Sequence, residues 1–356
     1  MNARTARERS RPRGSSPALR RVIPVLAAVI VMAGGYPPCR AQDRPYRVEV
    51  LQVTSLDVLQ KLYDGFVMEL EKNGLVSGRN LVVKRTVIDF DIADATFRKE
   101  VAAYLRIRKE ASRIASEKPD LALTMGAPAT KFSKDAIVAA GVPLIFTALA
   151  FPSDVGSISW TEGGPGFTGA VTYMSMRNAL LVIRKAFPGV RRIGIVYSHD
   201  ANSVDHVDEA VRAGHSLGIR IIARQVDVKE QVVPVLRELR RMGVDAFAVP
   251  PDPYYAIRNY GAARELIAFS DASGIPVISF VIDGFSGAVL NIGVDFGTVG
   301  RMCGLQAAKI LKDGAKPGAL PILRQQDLTV LFDPERMKAF GIPLSPGVPG
   351  AAAPGR

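Results

Sequence analysis

The chain is poor in the residues that most often build disulfides, metal sites and catalytic sites. Its 356 residues include two cysteines, three histidines and one tryptophan. Cys39 lies in a segment that we expect to be removed on export, which leaves Cys303 alone and excludes an intramolecular disulfide. The apolar, helix-like stretch 299–305 predicts that Cys303 is a buried core residue and not a reactive thiol.

No motif predicts catalysis or cofactor binding. His206 and His215 lie nine residues apart on one predicted helix, on opposing faces, so we expect both to be solvated and not to ligate metal. His199 and Asp200 could form an acid–base pair, but neighbours in a loop need not face each other. The Gly/Pro-rich segment 160–166 lacks the following Lys and Ser/Thr of a phosphate-binding loop. We therefore predict no catalytic residue, no metal, no cofactor and no enzyme activity.

The excess of positive charge is concentrated at the N-terminus. The whole chain carries 46 basic and 34 acidic residues, a net charge of +12. Residues 1–41 hold eight arginines and one glutamate, so the remainder has 38 basic and 33 acidic residues, a net charge of +5. This mild excess is interleaved with acids, so the sequence predicts no nucleic-acid partner.

Residues 1–41 have the pattern of a signal peptide. An arginine-rich start is followed by the apolar run Val22–Ala33, which is too short for a membrane-spanning helix. Small residues at Cys39 and Ala41 predict cleavage before Gln42 and a periplasmic protein. An uncleaved membrane anchor is the alternative. Lipidation is disfavoured because Pro38, and not a small residue, precedes Cys39.

From Pro45 onward, strand-like and helix-like segments alternate in two blocks. Residues 47–53 predict a strand and residues 56–72 an amphipathic helix, and the same succession continues to residue 147. After segment 160–166 a second block begins, with a helix over 178–187 and a strand over 192–197. This alternation predicts an α/β fold of two doubly wound parallel-sheet lobes joined by a hinge.

The breaks in composition suggest limits for the parts of the chain. We expect a signal peptide over residues 1–41 and a disordered tail over 347–356. The first lobe is predicted over 42–166 plus about 285–322, and the second over 167–284 plus about 323–346.

Ligands of such sheets bind beyond the carboxyl ends of the strands. The loops there are rich in small and polar residues, as in segments 54–57, 125–128, 198–203 and 250–254. Backbone N–H groups at the following helix N-termini can bind an anion such as a carboxylate. The same Ser, Asp and Asn residues are also ordinary helix N-caps, so any one of them taken alone is not evidence of a ligand.

Several segments, in order, resemble the ABC-transporter substrate-binding proteins with the type I periplasmic-binding fold, a group in which some members take up aromatic amino acids. They are Asp64-Gly65-Phe66, Gly78-Arg79-Asn80-Leu81, Lys118-Pro119-Asp120-Leu121, Ile193-Gly194-Ile195-Val196-Tyr197 with Asn202-Ser203, and Gly274-Ile275-Pro276-Val277. The resemblance covers residues 46–346. It implies three crossings between lobes, closure on a ligand and delivery to a membrane permease.

By position, the resemblance implies eight residues that line the cleft. They are Ser55, Thr124, Gly126, Ala127, Tyr197, Asn202, Asp252 and Asp283. The chain departs from the family where it has Phe151-Pro152 in place of Asp-Pro, and Thr54-Ser55 in place of a Glu or His after the first strand. Asp154 is close enough in sequence to substitute for that aspartate.

The favoured hypothesis is a monomeric periplasmic solute-binding component of an ABC importer, which holds a small polar, amino-acid-like molecule and contacts a permease in the inner membrane. Three alternatives share the fold. A ligand-sensing periplasmic receptor would need a later membrane or signalling segment, and we expect none after Pro346. A periplasmic enzyme would need an acid–base pair, such as Asp252 with Asp283. A regulator of the lactose-repressor type would need an N-terminal DNA-binding helix pair.

Overall fold

The computed structural model describes residues 44–282 and 285–343. Within these residues the chain forms twelve strands and nine α-helices. The strands are β1 (Tyr46–Gln52), β2 (Leu81–Val87), β3 (Leu121–Met125), β4 (Leu144–Thr147), β5 (Phe167–Val171), β6 (Arg192–Tyr197), β7 (Arg220–Gln225), β8 (Ala246–Val249), β9 (Val277–Ser279), β10 (Leu290–Gly293), β11 (Leu323–Arg324) and β12 (Thr329–Phe332). The helices are α1 (Asp57–Lys72), α2 (Phe97–Glu117), α3 (Ala127–Ala139), α4 (Met176–Ala186), α5 (Ala201–Leu217), α6 (Val232–Arg241), α7 (Ile257–Ser273), α8 (Phe296–Asp313) and α9 (Pro334–Ala339).

The strands form two six-stranded sheets with equivalent orders. The first sheet runs β2-β1-β3-β4-β5-β11, and all its neighbouring strands are parallel. The second runs β7-β6-β8-β9-β10-β12, and only β12 is antiparallel to its neighbour among the described strands. Central strands such as β3 are buried along their whole length because helices cover both faces. The predicted α/β class with two parallel-dominated sheets is confirmed.

Each sheet and the helices packed on it make one lobe, and the described chain crosses between the lobes three times. The first crossing joins β5 to α4, which packs against α5 on the second sheet. The second joins β10 to α8, which packs against α1 on the first sheet. The third joins β11 to β12.

The strand pairing differs from the lobe limits suggested by the sequence. Strand β5 pairs in parallel with β4 and therefore lies in the first sheet, although the sequence predicts residues 167–284 for the second lobe. Strand β10 pairs with β9 and lies in the second sheet, although the sequence predicts about 285–322 for the first lobe. Short strand β11 pairs with β5 and lies in the first sheet, although the sequence predicts about 323–346 for the second lobe. The Gly/Pro-rich segment before β5 is thus a turn into an inner strand of the first sheet. The signal peptide and the tail lie outside the described residues.

Two helices of the first lobe, α1 and α8, approach each other at glycines. A Cβ atom at Gly65 would lie 2.2 Å from the carbonyl oxygen of Gly297, and one at Gly300 would lie 2.0 Å from that of Leu62. Only glycine allows this approach. Cys303, also on α8, lies in the first-lobe core with no exposed surface, and burial raises the pKa of its thiol to about 12. The expectation of an inert core cysteine agrees with this environment.

Candidate functional site

A cavity of about 710 Å³ lies where the carboxyl ends of strands from both sheets face each other. First-lobe loops contribute Thr54 after β1, Gly126 after β3 and Ala150 after β4, while second-lobe loops contribute residues 198–202 after β6 and 250–256 after β8. Because parallel strands end at the same edge of their sheet, loops distant in sequence meet here. The cavity is large enough for a ligand of drug or amino-acid size.

Four of the residues implied by the resemblance line this cavity: Gly126, Ala127, Asn202 and Asp252. Gly126 precedes α3 with φ +100°, a left-handed conformation that favours glycine, and its N–H donates to the carbonyl oxygen of Thr147 at 2.8 Å. Among the described residues no side chain caps α3, so the backbone N–H groups of its first turn, which begins at the cavity wall, have no capping oxygen. Their role in ligand binding stays a prediction.

Three other predicted residues are not among those lining the cavity. Ser55 is exposed, and its neighbour Thr54 lines the cavity instead. Thr124 is fully buried in β3, where its hydroxyl lies 2.8 Å from that of Thr130 and ties the strand to α3. Tyr197 packs against the core of the second lobe. Asp283 lies outside the described residues.

Asn202 and Tyr260 connect the two lobes directly. The Asn202 side-chain oxygen accepts a hydrogen bond from the Ala150 N–H at 3.1 Å. The Tyr260 hydroxyl donates to Asp57 at 2.6 Å, from the non-helical kink near the start of α7 to the first turn of α1. Tyr260 has φ +58°, in the left-handed region. Both contacts flank the cavity, so opening the cleft would break them.

Asp252 is held by its own lobe. Its carboxylate accepts hydrogen bonds from the Ser198 N–H at 2.6 Å, the Ser198 hydroxyl at 2.8 Å and the Tyr254 N–H at 2.9 Å. Only 7% of the residue is exposed. Asp252 therefore braces two cavity loops and places a negative charge behind the cavity wall.

A second carboxylate, Asp200, stands beside it. Asp200 caps α5 by accepting a hydrogen bond from the Ser203 N–H at 3.2 Å. Burial is the largest cause that raises its pKa to about 6, and the negative charges of Asp252 and Asp154 add to this effect. Burial also raises the pKa of Asp154, on the opposite lobe, with a contribution from Asp205. The centre of the cavity is therefore poor in positive charge and costly for anions.

His206 differs from its expected place at the surface. It is 1% exposed and lines the cavity from the second turn of α5. Its Nδ1 lies 2.6 Å from the Asn202 carbonyl oxygen, which can only accept, so Nδ1 carries the proton and Nε2 has a lone pair. Burial lowers the pKa of the imidazole, which favours this neutral form. Nε2 has no hydrogen-bond partner among the described residues.

The surroundings of His206 explain why the sequence pattern failed there. Its ring lies 5.5 Å from Phe151 and 6.1 Å from Tyr173, and Trp160 lies 4.9 Å from Tyr173. These aromatic partners come from the first lobe and the first crossing, far from α5 in sequence. The polar spacing of α5 gave no sign of them. Trp160, 43% exposed, packs near the site without being among the residues that line it.

The described part of the chain contains no cluster of three or more His, Cys, Asp or Glu residues that could hold a metal ion. Among the helices in residues 44–282 and 285–343, none has the length and apolar character of a membrane-spanning segment.

Comparisons with known proteins agree with this architecture. Residues 47–353 match the model of the family described as ABC transporter substrate binding protein. A tyrosine-binding protein of Clostridioides difficile (strain R20291) is 22% identical over 299 residues, which are 82% of this chain and 80% of that protein.

Two solved structures show the same fold. The ABC domain of Streptococcus pneumonia in complex with L-Trp has a TM-score of 0.69 at 19% identity, covering 85% of this chain and 96% of that one. The ligand-free, open structure of a substrate-binding protein with adhesive properties from Clostridium difficile has a TM-score of 0.66 at 22% identity, covering 85% and 97%.

Proposed function

Because the chain belongs to the family of ABC transporter substrate-binding proteins, we propose that it captures an amino-acid-like small molecule in the cavity between its lobes. We propose further that it acts as a periplasmic monomer, exported by residues 1–41, and delivers this ligand to an ABC permease in the inner membrane. It catalyses no reaction on the ligand.

The observation that carries the proposal is the cavity itself. It is walled by the strand ends of two separate sheets, and two hydrogen bonds, from Ala150 to Asn202 and from Tyr260 to Asp57, pass directly between the lobes beside it. A ligand enclosed there touches both lobes and loses its contact with water. Many weak contacts can then supply the roughly 8 kcal/mol that micromolar binding requires.

The relatives favour an aromatic amino acid as the ligand. The Clostridioides difficile relative is named for tyrosine, and the Streptococcus structure holds L-Trp. The cavity described here has a mainly apolar lining with a few polar groups, which suits a side chain of that size.

The test is a thermal-shift screen of the protein exported and purified from a bacterial host, against amino acids, aromatic acids, sugars and polyamines. A ligand at 100 times its dissociation constant should stabilise the fold by about 2.7 kcal/mol, which raises Tm by roughly 5 °C. Trp160 fluorescence gives a second signal, because its ring packs on Tyr173 next to His206. If no compound of the panel changes either Tm or the Trp160 fluorescence, the proposal is contradicted.

The same preparation tests export. Its intact mass should correspond to a chain that begins at Gln42. A chain that keeps Met1 and stays with the membrane fraction would contradict the periplasmic assignment.

A further inference from the structure

The charged groups around the cavity are strongly one-sided. Asp154, Asp200 and Asp252 lie in its partly or fully buried wall. Asp57, Glu100 and Asp227 also line it, but are exposed and therefore screened by salt. The single Lys or Arg side chain among the described lining residues is Lys229, which is exposed.

An independent observation on α5 points to the same chemistry. The side chain of His206 lines the cavity, and its Nε2 atom is a buried acceptor with no partner among the described residues. Its proton is on the other ring nitrogen, committed to the Asn202 carbonyl oxygen. A buried acceptor of this kind is satisfied only by a donor. A carboxylate cannot be that donor, whereas an ammonium group can.

No Lys or Arg is among the described first-lobe residues that line the cavity, and Lys131 on α3, outside that lining, partly offsets the rise in the pKa of Asp154. Beside α3 the first-lobe wall consists of Gly126, Ala127 and Pro128, and no side chain among the described residues caps the N-terminus of this helix. That terminus can accept a hydroxyl or a carbonyl oxygen, but it carries only a partial charge. A zwitterion would therefore find a partner for its amine and a weak one for its carboxylate.

We propose that the cavity selects its ligand by a protonated amine, with Asp200 supplying the countercharge and Nε2 of His206 accepting one N–H, so that a cationic amine binds more tightly than the amino acid with the same side chain. This inference rests on the proposed function of small-molecule capture. The raised pKa of Asp200 supports it, because an adjacent cation stabilises the carboxylate that burial disfavours.

The decisive experiment compares three probes that share a phenol ring: tyramine, tyrosine and 3-(4-hydroxyphenyl)propionate. Isothermal titration calorimetry should give tyramine a dissociation constant about tenfold or more below that of tyrosine, and the propionate the weakest binding. If the screen identifies another amino acid, its own amine and deaminated acid form the triplet, and the same criterion applies.

The outcomes separate the two proposals. Tyrosine binding as tightly as tyramine, or more tightly, overturns selection by the amine and leaves small-molecule capture standing. A protein that binds no member of any triplet and no member of the screening panel contradicts the proposed function, and the present inference with it.

Two pairs of variants assign the roles within the site. Asp200→Asn keeps the helix cap but removes the charge, and should weaken tyramine binding about tenfold or more. Asp333→Asn makes the same change at the N-cap of α9, outside the cavity, and should leave affinity unchanged. Equal affinities of the wild type and Asp200→Asn would overturn the role of Asp200.

His206→Asn keeps a donor where Nδ1 stands and deletes the Nε2 acceptor, whereas His206→Gln places an amide near Nε2. We expect the first variant to weaken tyramine binding about tenfold and the second to retain most of it. N,N,N-trimethyltyramine keeps the charge but has no N–H, so His206→Asn should not affect its affinity. If His206→Asn weakens the binding of tyramine and of N,N,N-trimethyltyramine equally, His206 acts through packing. That result would overturn its role as acceptor.

Discussion

The sharpest energetic consequence of the site concerns the buried carboxyl of Asp200. Asp200→Asn preserves the side-chain oxygen that accepts from the Ser203 N–H, and Asn caps helices about as well as Asp. The substitution therefore removes one ionisable group with little change in local structure. Any difference between the variant and the wild type that depends on pH belongs to that group.

The pKa of Asp200 determines the sign and size of its contribution to the free energy of unfolding. In the folded protein the pKa of Asp200 is raised from the ordinary 3.8 to about 6. The folded state thus holds a proton that the unfolded chain has already released, so this group destabilises the fold progressively as pH rises through that interval. The full interval corresponds to about 3 kcal/mol of unfolding free energy.

Urea unfolding of both proteins between about pH 4 and pH 8 measures this effect. Relative to the wild type, Asp200→Asn should gain about 2–3 kcal/mol of stability across that range. The Asp333→Asn control should run parallel to the wild type, because Asp333 caps a helix outside the cavity. If the difference in unfolding free energy between the wild type and Asp200→Asn stays constant with pH, the assignment is refuted: Asp200 is then not a largely buried carboxyl next to other negative charges.

Three further predictions follow from other contacts. Gly300→Ala forces a Cβ against the Leu62 carbonyl oxygen and should cost about 3 kcal/mol in urea unfolding, whereas Gly189→Ala, with no atom within 4 Å, should change stability by less than about 0.5 kcal/mol; equal effects would contradict the helix packing. Cys303 should not react with a thiol reagent until the protein is unfolded, as followed by absorbance, and rapid labelling of the native protein would show that it is accessible. Tyr260→Phe removes the hydrogen bond to Asp57 and should weaken ligand binding several-fold in calorimetry without changing the unfolding free energy by more than about 1 kcal/mol; unchanged affinity would remove this contact from the closing of the cleft.

The general architecture could be predicted because it is encoded locally. Helix α1 and strand β6 lie where their hydrophobic periodicity indicates, at Asp57–Lys72 and Arg192–Tyr197. Alternation of such elements leaves few topologies other than parallel sheets with covering helices. The loops that carry Gly126 and Asn202 reach the cavity for the same reason, since they follow central strands.

What the sequence did not indicate depends on partners distant along the chain. His206 has the spacing of a surface residue on α5, but Phe151 and Tyr173 bury it from the first lobe and the crossing. Strand β5 follows a Gly/Pro-rich segment typical of a linker, and only its pairing with β4 places it in the first sheet. The hydrogen bond from the Ser198 hydroxyl to Asp252 likewise forms because two loops meet, and no local sequence pattern indicates it.

Calorimetric titration of the exported protein with tyramine and with tyrosine tests the central claim most directly. We expect saturable binding of one molecule per chain, tighter for tyramine than for tyrosine. If neither tyramine nor tyrosine binds saturably and no compound of the thermal-shift panel stabilises the protein, the claim that the cavity between the lobes captures an amino-acid-like small molecule is contradicted.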